Sequence, residues 1–94
     1  KLGDQGLKVS HLQYMLAVIA DFVPQIPTLA VSGNFDEKTR QSVLAYQKYV
    51  SLPQTGEVGT ITWDAIYELF KDKEKTVFRE DSTLNTAPYI FITS

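Results

Sequence analysis

The sequence predicts an all-α protein: a closed three-helix bundle with an internal helix-turn-helix pseudo-repeat, followed by an extended C-terminal tail. Apolar residues recur at three- and four-residue steps in three segments, the spacing of one helix face. Glycine and proline punctuate the gaps between those segments. A motif in the first segment returns in the second, the signature of a repeated unit.

The first helix begins soon after Gly3-Asp4-Gln5-Gly6 and places Val9, Leu12, Leu16, Ile19 and Val23 on one stripe, widened by Met15 and Phe22. Pro24 and Pro27 end it and force an irregular loop through Ile26, Thr28 and Leu29. The second helix runs from about Asp36 to Tyr49, with Asp36 as N-cap and Glu37 on the positive end of the helix dipole. Its apolar face is Val43, Tyr46 and Val50, flanked by Leu44 and Ala45, and Ser51-Leu52-Pro53 closes it. The third helix runs from about Thr60 to Phe70 on the stripe Trp63, Ile66, Tyr67 and Phe70, which makes Trp63 a core residue.

The repeat is explicit. Val9-x-x-Leu12-Gln13-x-x-Leu16 matches Val43-x-x-Tyr46-Gln47-x-x-Val50, and Ser32-Gly33-x-Phe35-x-x-x-Thr39 matches Thr55-Gly56-x-Val58-x-x-x-Thr62. The unit is helix, hydroxyl-Gly turn, helix, and the middle helix is shared. Gln13 precedes Ser32 by nineteen residues and Gln47 precedes Thr55 by eight, so the first copy carries eleven extra, those of the proline-rich loop. Gly33 and Gly56 supply the positive φ of a tight reversal, and Val58 is placed to staple to Trp63 with Gly59 as N-cap. Arg40 holds the place of Trp63 in the first copy. Gln13 and Gln47, repeat mates beside core residues, are expected to bond loop backbone, because buried amides need partners.

Composition bounds the chemistry. Ninety-four residues make one small domain, and 44% hydrophobic residues with eleven aromatics fill a modest core. Without cysteine there is no disulfide, thiolate zinc site or thiol nucleophile, and a single histidine cannot build a histidine-rich metal cluster. A net charge of −2 argues against a nucleic-acid partner, which calls for a basic patch. The longest apolar stretch, Met15 to Ala20, is far short of the ~20 residues that span a bilayer. The chain opens at Lys1 and not at methionine, which suggests an excised piece or a processed product. Composition shifts near residue 70: the mixed-charge run Lys71 to Lys75 leads into a Thr- and Ser-rich stretch ending in the β-prone Pro88-Tyr89-Ile90-Phe91-Ile92. Residues 1–70 therefore form the expected domain, and 71–94 a tail or linker toward a further domain.

Three ordered motifs carry a resemblance. Gly3-Asp4-x-Gly6-x-x-Val9-x-x-Leu12-Gln13-x-x-Leu16, then Gly33-x-Phe35-Asp36-x-x-Thr39-x-x-x-Val43-x-x-Tyr46-Gln47, then Leu52-Pro53-x-Thr55-Gly56-x-Val58-Gly59-x-x-Thr62-Trp63 resemble the three-helix peptidoglycan-binding domain 1 family over about Leu2 to Phe70. The run is also similar to modules of cell-wall hydrolases from spore-forming Gram-positive bacteria. The resemblance implies non-catalytic binding of peptidoglycan, by glycan strand or stem peptide, with an attached hydrolase held on the wall. A monomer without a cofactor is expected, in an extracellular, cell-wall or spore-envelope location. The chain departs from the family pattern at Ser32, Asp36, Tyr46 and Ser51, where the family usually has Asp, a small residue, Phe and Gly. The changes at Ser32 and Asp36, with the apolar run in the tail, motivate an alternative: a protein-interaction or spacer module that keeps the fold and has lost the glycan site.

No converging nucleophile, base and oxyanion donors are present in the pattern, so an enzyme is not expected. His11 reads as an exposed helix residue with no metal partner at i+4, and Asp36 and Glu37 as a helix-start pair. A binding surface for wall fragments needs polar groups held by turns and some aromatic area. The candidates are Asp4 and Gln5 in the entry turn, Ser32 and Asn34 in the middle turn, and Asp36 at the helix start beside it. Arg40 offers a two-point contact to a stem-peptide carboxylate, and Tyr14 and Tyr49 sit at equivalent positions off the apolar stripes.

Overall fold

Three helices occur in the predicted order: α1 (Leu7–Phe22), α2 (Glu37–Tyr49) and α3 (Thr60–Thr86). A computed structural model describes the backbone of residues 1–86 and the side chains of residues 1–75. Among these residues there is no strand, only an isolated antiparallel bridge between Gln5 and Asn34. No described helix is long and apolar enough to cross a membrane.

The predicted stripes make most of the core, with Phe22 left exposed and Val50 only partly buried. Val9, Leu12, Met15, Leu16, Ile19 and Val23 are buried from the first segment, Val43 and Tyr46 from α2, Ile66 and Phe70 from α3. The proline-rich loop joins them through buried Ile26, and the carbonyl of Pro27 accepts the Ser42 hydroxyl at 2.9 Å. α1 and α3 run in the same direction. Lys8 and His11 lie against Trp63, Tyr14 against Phe70 and Phe22 beneath Lys73, so the register rises together on both helices. Their first turns therefore share one end of the bundle.

Three expectations are corrected at the edges. Trp63 is only partly buried and packs on the rim of the core. Tyr67 is 40% exposed under Lys71, and Leu69 is the residue that packs inward on that side. α3 does not stop at Phe70 but continues to Thr86. The charged run reads as a linker by composition, yet nothing in it breaks a helix: no Gly or Pro lies between Gly59 and Pro88. The i,i+3 pair Glu68–Lys71, 3.7 Å apart, adds modest support across Phe70. The β-prone run 88–92 lies outside the described residues.

α2 ends in a Schellman motif. The Leu52 N–H reaches the Gln47 carbonyl at 2.8 Å and the Ser51 N–H reaches that of Lys48 at 3.2 Å. This closure puts Ser51 at φ 63°, the left-handed region, and no other non-glycine residue has positive φ among the described residues. A side chain there costs roughly 1 kcal/mol, part of which glycine returns through its freer unfolded chain. Ser51→Gly is expected to stabilise the fold by about 0.5 kcal/mol, read as a rise of roughly 2–4 °C in melting temperature.

Candidate functional site

Each hydroxyl-Gly turn is closed by the glutamine that precedes it. The Oε1 of Gln13 accepts the N–H groups of Ser32 (2.9 Å) and Gly33 (2.8 Å). Its Nε2 donates to the Asn34 carbonyl (2.9 Å), to Thr39 Oγ1 (2.9 Å) and to Ser32 Oγ (3.2 Å). Gln47 repeats the pattern: Oε1 accepts the Gly56 N–H (3.0 Å), and Nε2 donates to the Glu57 carbonyl (3.0 Å), Thr55 Oγ1 (3.2 Å) and Thr62 Oγ1 (3.3 Å). Both amides are buried, so each satisfies itself and the turn at once. Gly33 and Gly56 hold φ 82° and 74°, strained for a side chain, and a Cβ would also crowd Ser10 Oγ at 3.0 Å and Arg40 Cγ at 3.2 Å.

The first turn also ties down the entry segment. Gly3 N–H donates to the Phe35 carbonyl (3.1 Å), Phe35 N–H to that of Asp4 (2.8 Å), and Gly6 N–H to that of Gly33 (2.9 Å). This lattice brings Asp4 and Gln5 of the entry turn and Ser32 and Asn34 of the middle turn into one loop cluster. The Ser32 hydroxyl is spent inside it, accepting from Asn34 N–H and Gln13. Asp36 caps α2, as predicted: its Oδ1 accepts the Thr39 N–H (3.0 Å) and hydroxyl (2.9 Å). Those bonds, the backbone one first, hold the Asp36 carboxyl below its ordinary 3.8. The shift is downward, so the cap's contribution is complete above that ordinary value and is lost as pH falls through the folded one. Asp36→Asn is expected to flatten this part of the acid limb of an unfolding-against-pH curve, because an amide oxygen still caps but does not titrate.

The other candidates are dispersed. Arg40 lies across the Gly56 turn and its guanidinium pairs with Glu37 at 3.2 Å. Tyr14 packs edge-on against Phe70, and Tyr49 stands exposed at the C-terminal end of α2.

A cleft of about 360 Å³ opens where the first turns of α1 and α3 meet. It is lined by the apolar Val9, Leu12, Phe35, Val58 and Trp63 and by Lys1, Asp4, Lys8, Gly59 and Thr60. Lys8 Nζ stands 5.9 Å over the Trp63 ring, within cation–π reach, and the His11 imidazole meets the indole at 5.6 Å and 79°. Only Asp4 of the sequence-derived candidates lines this cleft. Lys8, Val58 and Trp63 were missed because helical spacing does not say that α1 and α3 lie side by side in parallel. One signal was present: Arg40 and Trp63 are repeat mates, and a position that holds arginine in one copy is a surface position in the other. Among the described residues, no group of three or more His, Cys, Asp or Glu is placed to hold a metal.

A family model described as "Putative peptidoglycan binding domain" matches residues 5–66. Comparison with curated proteins and with solved structures gives no match.

Proposed function

Because the chain belongs to the peptidoglycan-binding domain family, a cell-wall-associated family, we propose that the cleft beside Trp63 is its peptidoglycan-binding surface and that it holds an attached hydrolase on the wall. The observation that supports this reading is the half-buried tryptophan in an apolar lining, with Lys8 and Asp4, where turn backbone and two helix starts converge. Sites of this kind combine apolar area with a few fixed polar groups. Asp4 belongs to it directly, and Gln5, Ser32 and Asn34 build the loop cluster behind it. Residues 1–70 are the binding domain, a monomer outside the cell, and the continuation of α3 is the junction to the next module.

The departures at Ser32 and Asp36 do not favour the spacer alternative. The Ser32 hydroxyl closes its turn and Asp36 caps α2, so both serve local structure. Weak single-site affinity is multiplied by repeated ligand on the wall. Co-sedimentation with purified sacculi tests the proposal. The wild-type chain is expected in the pellet, and Lys8→Gln and Trp63→Leu are expected to move most of it to the supernatant with helix content retained. Wild-type recovery entirely in the supernatant at low salt and wall excess would overturn it.

A further inference from the structure

We propose that the cleft takes the stem peptide of peptidoglycan, and not its glycan strand, by the free amino-carboxylate terminus of a diamino acid. The inference rests on the reading of the cleft as the peptidoglycan surface. The cleft carries opposite charges: Lys1, Lys8 and Asp4 all line it, together with the apolar Val9, Phe35, Val58 and Trp63. In the polymer, the sugars are neutral acetamido sugars, and the lactyl carboxyl is consumed in the amide bond that begins the stem. The free ammonium and carboxylate groups belong to the peptide. A carboxylate on the Lys8 ammonium and an amino group on Asp4 match this arrangement, and alanyl methyls and side-chain methylenes suit the apolar lining.

Two further observations agree. The Trp63 ring already carries Lys8 at 5.9 Å and His11 at 79°, so a pyranose stacked on it would have to displace one of them. The volume of about 360 Å³ is at the small end for ligand sites, suited to one or two residues and not to an extended strand. Arg40, the carboxylate partner suggested by sequence, is turned to Glu37 instead.

Trp63 is the only tryptophan, so its fluorescence reports the cleft. The 94-residue chain is titrated with three probes: a free stem tripeptide ending in a diamino acid, the same peptide with that residue's side-chain carboxylate amidated, and stem-free glycan released by an amidase. The tripeptide is expected to give a saturable change. Amidation is expected to weaken binding at least tenfold, and Lys8→Gln to weaken the free tripeptide equally and abolish the difference between the peptides. Lys71→Gln, over Tyr67, is expected to change neither. Equal affinity for both peptides, or stem-free glycan binding as tightly as the tripeptide, would overturn the proposal. Retention on sacculi with no response to the tripeptide would overturn this proposal alone; loss of sacculus binding would overturn the reading beneath it as well.

Discussion

Gln13→Ala is expected to destabilise the domain by about 4 kcal/mol, a large part of the 5–15 kcal/mol that holds a typical domain together. The side chain is fully buried; its oxygen accepts two turn N–H groups and its two amide protons are shared among three acceptors. Each hydrogen bond is worth roughly 1 kcal/mol net, and N–H groups left without partners add their own cost. The loss propagates: Thr39 Oγ1 accepts from Gln13 and donates to Asp36, so the turn and the α2 cap are one chain of bonds. Gln47→Ala follows the same logic at about 3 kcal/mol, since Gln47 accepts one turn N–H and shares its two amide protons among three acceptors. Gln13→Glu separates hydrogen bonding from packing. Its carboxylate still accepts the turn N–H groups but cannot donate to Asn34 and Thr39, so stability is expected to recover on acidification until the Asp36 cap is lost. Denaturant midpoints across the series check the order wild type, Gln47→Ala, Gln13→Ala.

Tyr46 is expected to show opposite signs for two substitutions. Tyr46→Ala empties the middle of the core and should cost about 4 kcal/mol. Tyr46→Phe should instead stabilise by about 1 kcal/mol, because the phenol oxygen is buried with no hydrogen-bonding protein group among the described residues. The same burial pushes its pKa up to about 12 from 10.0. The unfolded chain loses this proton near pH 10 while the folded one keeps it, so the wild type loses stability between pH 10 and 12. Subtracting the Tyr46→Phe curve isolates that slope from the other tyrosines and the lysines. A Phe variant less stable than wild type at pH 7 would mean that the hydroxyl is satisfied after all.

Much of this architecture is legible in the residues, and the parts that are not have a common cause. Stripes such as Val9, Leu12, Leu16, Ile19 bury as their spacing demands, because a helix face is a local property. The glutamine-turn pairing was visible as a repeat, since the same backbone geometry needs the same amide twice. What spacing did not convey is which helices become neighbours. Trp63 satisfied the apolar pattern of α3 and yet sits at a rim, because α1 arrives in parallel and brings Lys8 and His11 to it. Tyr67 fails for the same reason on the other side. Composition does not give the extent of α3, because it marks solvent exposure, and an exposed charged run is as compatible with helix as with linker. Of the candidate ligand residues, Asp4 reaches the cleft, while Ser32 and Asp36 are used by the scaffold itself.

The most direct test of the central claim is an amide chemical-shift map of the isotope-labelled chain titrated with soluble peptidoglycan fragments. The account predicts a continuous patch of shifts over Asp4, Lys8, Val58 to Thr60 and Trp63, with Arg40 and Tyr49 unmoved. Shifts centred on Tyr49 or Arg40, or no shifts at saturating fragment, would contradict it.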